Sequence, residues 1–419
     1  MERQVILDIQ EYLKGFVFAN TANDMFDTGS RTKQECFTAQ DRQIPKYINE
    51  FWTSKQRQAN SLHEISYRAC FKPQLPNFFI KIFTKEKDIV YDPFSGRGTT
   101  ALEAALLNRN VIANDINPLS SILAHPRLFP PQIHELEKRL DKIEIDDDLK
   151  SEKDLSMFYH SKTLTELLSI RAYLNKRRDS GKEDNLDRWI RMVATNRLTG
   201  HSKGFFSVYT LPPNQAVSPE SQIKINKTKN QTPEYRNTKE IILDKSADLL
   251  KDVTKNQRVV LESISEGALF LNKDARHTFE IEPNSVQLTV TSPPFLDIVQ
   301  YADDNWLRCW FNDIDVEKIS QKITMCKKLD DWRKVMRDVF GELFRLTKRK
   351  GWVAFEVGEV RNGKIKLDEH IVEIGMNAGF ECECIMVNEQ TFTKTANIWG
   401  IKNNENGTNS NRIVIFRKL

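Results

Sequence analysis

No stretch of the 419-residue sequence is apolar enough to reach membrane length, and the N-terminal "MERQVILDIQEYLKGF" carries charges throughout, with no long apolar core. Neither a membrane span nor a secretory leader is expected. Net charge is scarce too: 62 Lys and Arg against 58 Asp and Glu leave +4. Any polyanion-binding surface must come from local clustering. The six cysteines (Cys36, Cys70, Cys309, Cys326, Cys382, Cys384) are scattered. Cys382 and Cys384, two apart, would share one face of a strand, but no second Cys or His pair completes a zinc set, so no metal site is expected. Free thiols in a reducing cytoplasm are the reading. There is no internal repeat.

Hydrophobic residues make up 39% and charged residues 29%, enough apolar material for a packed core in an ordinary soluble chain. Residues 1–50 are mixed and polar with helical patches, an extension to which no chemistry attaches. Periodicity sharpens at "NFFIKIF", followed by "DIVYDPFSGRGTTALEAALLNRNVIANDINP". A short strand (Ile89, Val90, Tyr91) meets a glycine loop. A helix follows with Leu102, Ala105 and Leu106 at helical spacing, then a strand over Val111 to Ala113, which makes a βαβ unit. Residues 126–266 interrupt the alternation. "HELEKRLDKIEIDDDLKSEKDL" reads as a solvated helix plus linker. "TLTELLSIRAYLNKRR" and "RWIRMVATNRL" read as amphipathic helices, "GFFSVYTLPPNQAVSPE" as a proline-punctuated loop, and "QIKINKTKNQTPEYRNTKE" as a polar, basic stretch. Strands and helices alternate again from "GALFLNKDAR" to the terminal "NRIVIFRK". The expectation is one doubly wound α/β domain in two parts, 51–125 and 267–419, with a mainly helical insertion at 126–266.

In "DPFSGRGTTA", Gly96 and Gly98 stand where strand turns into helix, so backbone can approach a ligand beside free helix N–H groups. Asp115 ends the next strand about twenty residues beyond the loop, where a carboxylate accepts both ribose hydroxyls of a nucleoside cofactor. Asp92 opens the loop, and a carboxylate there repels a pyrophosphate but suits an amino group. The loop lacks the G-K-[ST] ending of an ATP-binding P-loop. Ribose and ammonium without phosphate point to S-adenosyl-L-methionine. Asp274, after the strand in "LFLNKDAR", could accept an adenine amino group or simply be a turn residue.

"VQLTVTSPPF" ends an apolar run with a hydroxyl, two prolines and a ring. Together, "DPFSGRGTT" and "TSPPF" resemble the bacterial DNA amino-methyltransferases, whose cofactor loop reads D-P-F-x-G-x-G-T-T. Their catalytic tetrapeptide is S-P-P-Y/F for cytosine N4 and D- or N-P-P-Y/F for adenine N6. "HEISYRACFKPQLPNFFI" looks like the family's cofactor-contacting segment, and the likeness extends over roughly residues 50–419. The resemblance implies a Rossmann-like, S-adenosylmethionine-dependent fold. It implies Ser292, Pro293, Pro294 and Phe295 as catalytic residues, and Tyr67, Asp92, Phe94, Ser95, Gly96, Gly98, Thr99, Asp115 and Asp274 as cofactor contacts. It also implies double-stranded DNA as partner, target recognition by residues 126–266, and a place in restriction-modification or phage defence beside a cognate restriction or defence protein.

Physically, the Ser292 hydroxyl and the Pro293 carbonyl would hold both N–H bonds of an exocyclic amine and free its lone pair toward the cofactor methyl. Phe295 would stack on a base taken out of the duplex. No Pro-Cys dipeptide occurs, which separates the chain from cytosine-C5 enzymes. Adenine N6 as target, an RNA guanine-N2 methyltransferase and a non-catalytic DNA-binding subunit stay open as alternatives. Lys224, Lys227, Lys229 and Arg236, with Phe205, Phe206, Tyr209 and Tyr235 nearby, read as a solvated loop or a nucleic-acid contact.

Overall fold

The computed structural model describes residues 8–17, 31–52, 59–68, 70–211, 215–296, 301–322, 326, 328–360, 365–389 and 410–419. Its strands are β1 (Lys33–Ala39), β2 (Arg42–Asn49), β3 (Ile89–Asp92), β4 (Asn110–Asn114), β5 (Leu269–Leu271), β6 (Val286–Thr291), β7 (Thr347–Val357), β8 (Glu359–Val360), β9 (Ile365–Lys366), β10 (Glu381–Glu389) and β11 (Ser410–Arg417). Nine form one sheet in the order β1-β2-β10-β11-β7-β6-β3-β4-β5, and β8 and β9 pair separately. β5, β4, β3, β6 and β7 are parallel neighbours, and β11 runs antiparallel between β7 and β10. The chain winds outward from β3 through β4 to β5, then returns to β3's other side as β6. That reversal puts a topological switch point between β3 and β6, the place where open α/β sheets bind ligands beyond the carboxyl ends of their strands.

Both faces of the sheet are covered at its centre, so its inner strands are largely apolar on both sides. Along β11, Ile413 and Ile415 face one buried cluster while Val414 and Phe416 face the other. The second cluster holds the helices Leu329–Leu346 and Leu367–Asn377 against the sheet. The first holds the helices Gln74–Phe83 and Thr99–Leu106 together with most of the inserted helices.

The insertion is helical, from Ile133–Asp141 through Ser161–Asp179, Asn185–Arg197, Pro219–Lys229 and Thr238–Leu250 to Lys255–Ser265. Its Leu167, Trp189 and Ile242 belong to the same cluster as Val90 and Leu288 of the sheet. It therefore packs as part of one core. The segment expected to be a solvated helix and linker is amphipathic instead: Leu136 and Leu140 are buried, and Leu155 is too. The basic stretch expected as a loop forms a helix over Pro219–Lys229, capped by Ser218 and ended by Asn230 in the left-handed region.

Two further expectations are corrected. Residues 33–49, placed in an extension with helical patches, form the β1–β2 hairpin, and β2 pairs in parallel with β10. Cys382 and Cys384 do not share a face: the β10–β11 register shifts between them, and Cys382 enters one cluster while Cys384 enters the other. A bulge adds one residue and inverts the alternation on which the two-apart reading depends.

Candidate active site

The glycine loop forms because β3 ends at Asp92 and the helix Thr99–Leu106, rich in Ala and Leu, begins seven residues later. Gly96 and Gly98 take positive φ, 51° and 76°, which L side chains adopt reluctantly. Their surroundings differ. A Cβ on Gly96 would lie 3.4 Å from the Cys70 sulfur, whereas one on Gly98 would stand 2.4 Å from the Ala124 Cβ. Gly98 thus lets two helices approach, and only Gly96 faces a cavity.

Beneath the loop lie two buried guanidinium groups. Arg97 donates to the Ile65 carbonyl at 2.7 Å. Arg127 donates to the carbonyls of Leu123 (2.9 Å), Leu62 (3.2 Å) and Arg97, and burial beside Arg97 pushes its pKa down to about 9. His63, buried against the Glu103 carboxylate at 2.6 Å, completes the attachment of the segment carrying Tyr67. Burial holds this imidazole below its ordinary pKa.

A cavity opens above the loop at the switch point. Of the expected site residues, Tyr67, Phe94, Ser95, Gly96, Thr99, Asp115, Asp274, Ser292 and Pro294 line it. Asp92, Gly98, Pro293 and Phe295 are not on its wall. Asp92 is buried directly under the loop. Its Oδ1 accepts the Thr291 hydroxyl at 2.6 Å and the Phe94 N–H at 3.1 Å. Among the described residues its Oδ2 is buried with no hydrogen-bond partner, and so is the Ser95 hydroxyl. Desolvation raises the Asp92 carboxyl to about 7.

Asp115 accepts the N–H groups of Gly96 (2.8 Å) and Asn117 (2.9 Å), yet burial still lifts it to about 6. It therefore also ties β4 to the glycine loop. Asp274 is more committed than its position after β5 suggests: both carboxylate oxygens face Arg276, at 2.9 Å and 2.5 Å, and this pairing holds its pKa below the usual carboxylate range.

Ser292 follows β6 and lies beside β7, where its hydroxyl neighbours the buried Glu356 carboxylate and stabilises its charge. Glu356 also accepts from Asn411 Nδ2 at 2.9 Å, and desolvation raises its pKa. Pro294 O accepts the Trp332 indole N–H at 3.0 Å. The Phe295 ring packs on Gly358, where an added Cβ would stand 3.0 Å from Cε2. Trp332, Val335, Met336 and Val339, one face of the helix Leu329–Leu346, make the apolar wall opposite the loop. At the rim, Arg68 Nη1 sits between both oxygens of Asp304 (2.8 and 2.7 Å) and also reaches Gln215.

Sequence reasoning missed Glu356, Trp332 and Arg68. A carboxylate inside the apolar "VAFEV" was a readable signal, since a charge is not buried without a partner. Trp332 carried none beyond an amphipathic helix.

Residues 19–121 match the DNA methylase family of N6/N4 type. The type II methyltransferase M.BsoBI of Geobacillus stearothermophilus is 25% identical over 297 residues, 62% of this chain and 54% of that protein. M.MjaII of Methanocaldococcus jannaschii is 34% identical over 88 residues, 21% of this chain and 17% of its own. The orphan methyltransferase M.BamHII of Bacillus amyloliquefaciens is 40% identical over 73 residues, 17% and 28% of the two chains. The chain thus spans about half the length, or less, of these relatives. Among solved structures, an S-adenosylmethionine-dependent methyltransferase from Methanosarcina mazei aligns over 81% of this chain and 97% of its own, at 11% identity and a TM-score of 0.31. The glycine loop lies inside the family match, and in that part the chain is similar to the DNA methylases of N6/N4 type.

Proposed function

We propose that the protein transfers the methyl group of S-adenosyl-L-methionine to an exocyclic amino nitrogen of a base in duplex DNA, with cytosine N4 as the target. The observation that carries this reading is the meeting of Ser292 and Pro294 with Gly96 and Asp115 on one cavity. The cofactor supplies an electrophilic methyl group. Its fit rests on Ser95 Oγ, which lines the cavity without a hydrogen-bond partner among the described residues, on the Asp92 carboxylate just beneath it as counter-charge to an ammonium group, and on Asp115, available to ribose hydroxyls.

The target amine is a poor nucleophile because its lone pair is delocalised. Ser292 Oγ, beside the Glu356 carboxylate toward which its proton can turn, offers its lone pairs to one amine N–H, and the Pro293 carbonyl accepts the other. Holding the nitrogen so frees its lone pair for in-line attack, and the proton released on methylation passes to solvent. The serine at position 292 favours cytosine over adenine as target. Incorporating label from tritiated cofactor into duplex DNA, then identifying the modified base, tests this.

The raised carboxyls give a pH dependence with a definite sign. Asp92 and Asp115 titrate near 7 and 6 in the free protein, above their unfolded values of about 4. Their contribution to free-protein stability is present below about pH 4 and lost as pH rises through 6–7. A cofactor ammonium favours ionised Asp92, so affinity should fall as pH drops below 7, by up to about tenfold per unit. Calorimetry from pH 5.5 to 8 should show this, and Asp92→Asn should flatten the profile. A profile unchanged by that substitution would place the ammonium elsewhere.

Duplex DNA would be held by the insertion. Lys224, Lys227 and Lys229 are exposed on the helix Pro219–Lys229, which Gln222, Asn226 and Gln231 fasten to the Tyr209 and Met157 carbonyls. The chain entering that helix is tied to the rim: Val217 O accepts from Trp306, and Gln215 from Arg68. Replacing the three lysines with alanine should weaken binding on every sequence and lower the slope of log K against log salt by about 2–3. Wild-type affinity and slope would put the DNA surface elsewhere.

A further inference from the structure

The Ser292–Phe295 run contains two residues without an N–H, so a backbone ladder cannot hold it. Proline rings lock φ at 293 and 294, and the shape of the run then depends on the ψ angles of Ser292, Pro293 and Pro294. Among the described residues, a side-chain hydrogen bond fastens its far end, where Trp332 Nε1 donates to Pro294 O at 3.0 Å. At the near end the Ser292 hydroxyl neighbours the buried Glu356 carboxylate and stabilises its charge. The Pro293 carbonyl lies between them.

Trp332 is also 2% exposed and part of the apolar wall of the cavity, on the same helix face as Val335, Met336 and Val339. One ring therefore touches both the space for the cofactor and the backbone that presents the amine acceptor.

We infer that Trp332 is a positioning residue: its indole N–H sets the orientation of the Pro293–Pro294 backbone, and the cofactor, by packing on the indole, sets that orientation for transfer. This rests on the reading of the tetrapeptide given under the proposed function. A wall of cavity residues needs only apolar area, and Phe or Leu would serve. An indole is required where the wall must also donate a hydrogen bond at its edge.

Two measurements test it, and the first needs no methyl acceptor. With 15N-labelled tryptophan, the Trp332 indole resonance, identified by its loss in Trp332→Phe, should exchange slowly in the free protein. It should shift when S-adenosylhomocysteine is added. A resonance that exchanges like a free indole, or that the nucleoside does not move, overturns the inference.

The second is single-turnover transfer by a protein carrying the benzothiophene analogue of tryptophan at 332, which keeps ring shape and removes only the N–H. The transfer rate should fall about 10- to 100-fold, because sub-ångström misplacement of an acceptor is costly. Cofactor affinity and Tm should stay within twofold and within a few degrees of wild type. A rate within twofold of wild type, or a loss confined to cofactor affinity, makes Trp332 a wall residue only. If the wild-type protein itself methylates no DNA, the substrate reading fails, and the resonance experiment still decides the positioning role.

Discussion

Ser292→Ala will slow methyl transfer by about 10²–10³ while leaving cofactor and DNA affinity near wild type. On the proposed mechanism the substitution removes one of two acceptors for the target amine and leaves the Pro293 carbonyl. It also withdraws the hydroxyl that stabilises the buried Glu356 carboxylate, which raises the Glu356 carboxyl further while Asn411 still donates to it. The loss should therefore appear in the rate of single-turnover transfer at saturating cofactor and DNA. Ser292→Thr, which keeps the hydroxyl, should recover part of it. Normal turnover by Ser292→Ala would remove Ser292 from the reaction, whatever its place on the cavity wall.

Asp115→Ala should weaken S-adenosyl-L-methionine by roughly 2–4 kcal/mol, the cost of two hydrogen bonds to a carboxylate, or ~30- to ~1000-fold in Kd. The carboxylate does more than wait for a ribose, however. It accepts the Gly96 and Asn117 N–H groups, so the substitution also loosens the glycine loop. Asp115→Asn separates the two effects. One amide oxygen can still accept a backbone N–H, so Tm should stay close to wild type while cofactor affinity falls. Unchanged affinity in both variants, measured by calorimetry, would rule out this cavity as the cofactor site.

The parts of the fold readable from sequence are those where local pattern and tertiary environment agree. The run Ile89–Tyr91, the two glycines and the Ala- and Leu-rich helix after them need no distant residue to explain them, and β3, the loop and the helix fall where expected. Val286–Thr291 and the stretch Trp352–Phe355 of the strand Thr347–Val357 are legible for the same reason: both faces are covered there, so the residues are buried and mostly apolar. The β1–β2 hairpin is different. It is polar and exposed along β1, and its place is set by β10, which lies more than three hundred residues away.

The site divides in the same way. Ser292, Gly96 and Asp115 were legible because each ends a strand or opens a helix in a stretch whose spacing carries chemistry. Asp274 shows the limit of such reading. A carboxylate after a strand could face a ligand, and here both its oxygens are taken by Arg276 two residues on. Trp332 was invisible as a site residue, and Glu356 signalled only a buried carboxylate, because they reach the tetrapeptide from a separate helix and a neighbouring strand, across the sheet order rather than along the chain.

The central claim is that this cavity methylates an amino nitrogen of cytosine in duplex DNA. Incubating the protein with tritiated S-adenosyl-L-methionine and duplex DNA, then digesting to nucleosides, tests it most directly. The account predicts label in N4-methylcytosine. Label in N6-methyladenine would contradict the base assignment while keeping the amine-holding mechanism, and label only in RNA, or in no nucleic acid at all, would contradict the claim itself.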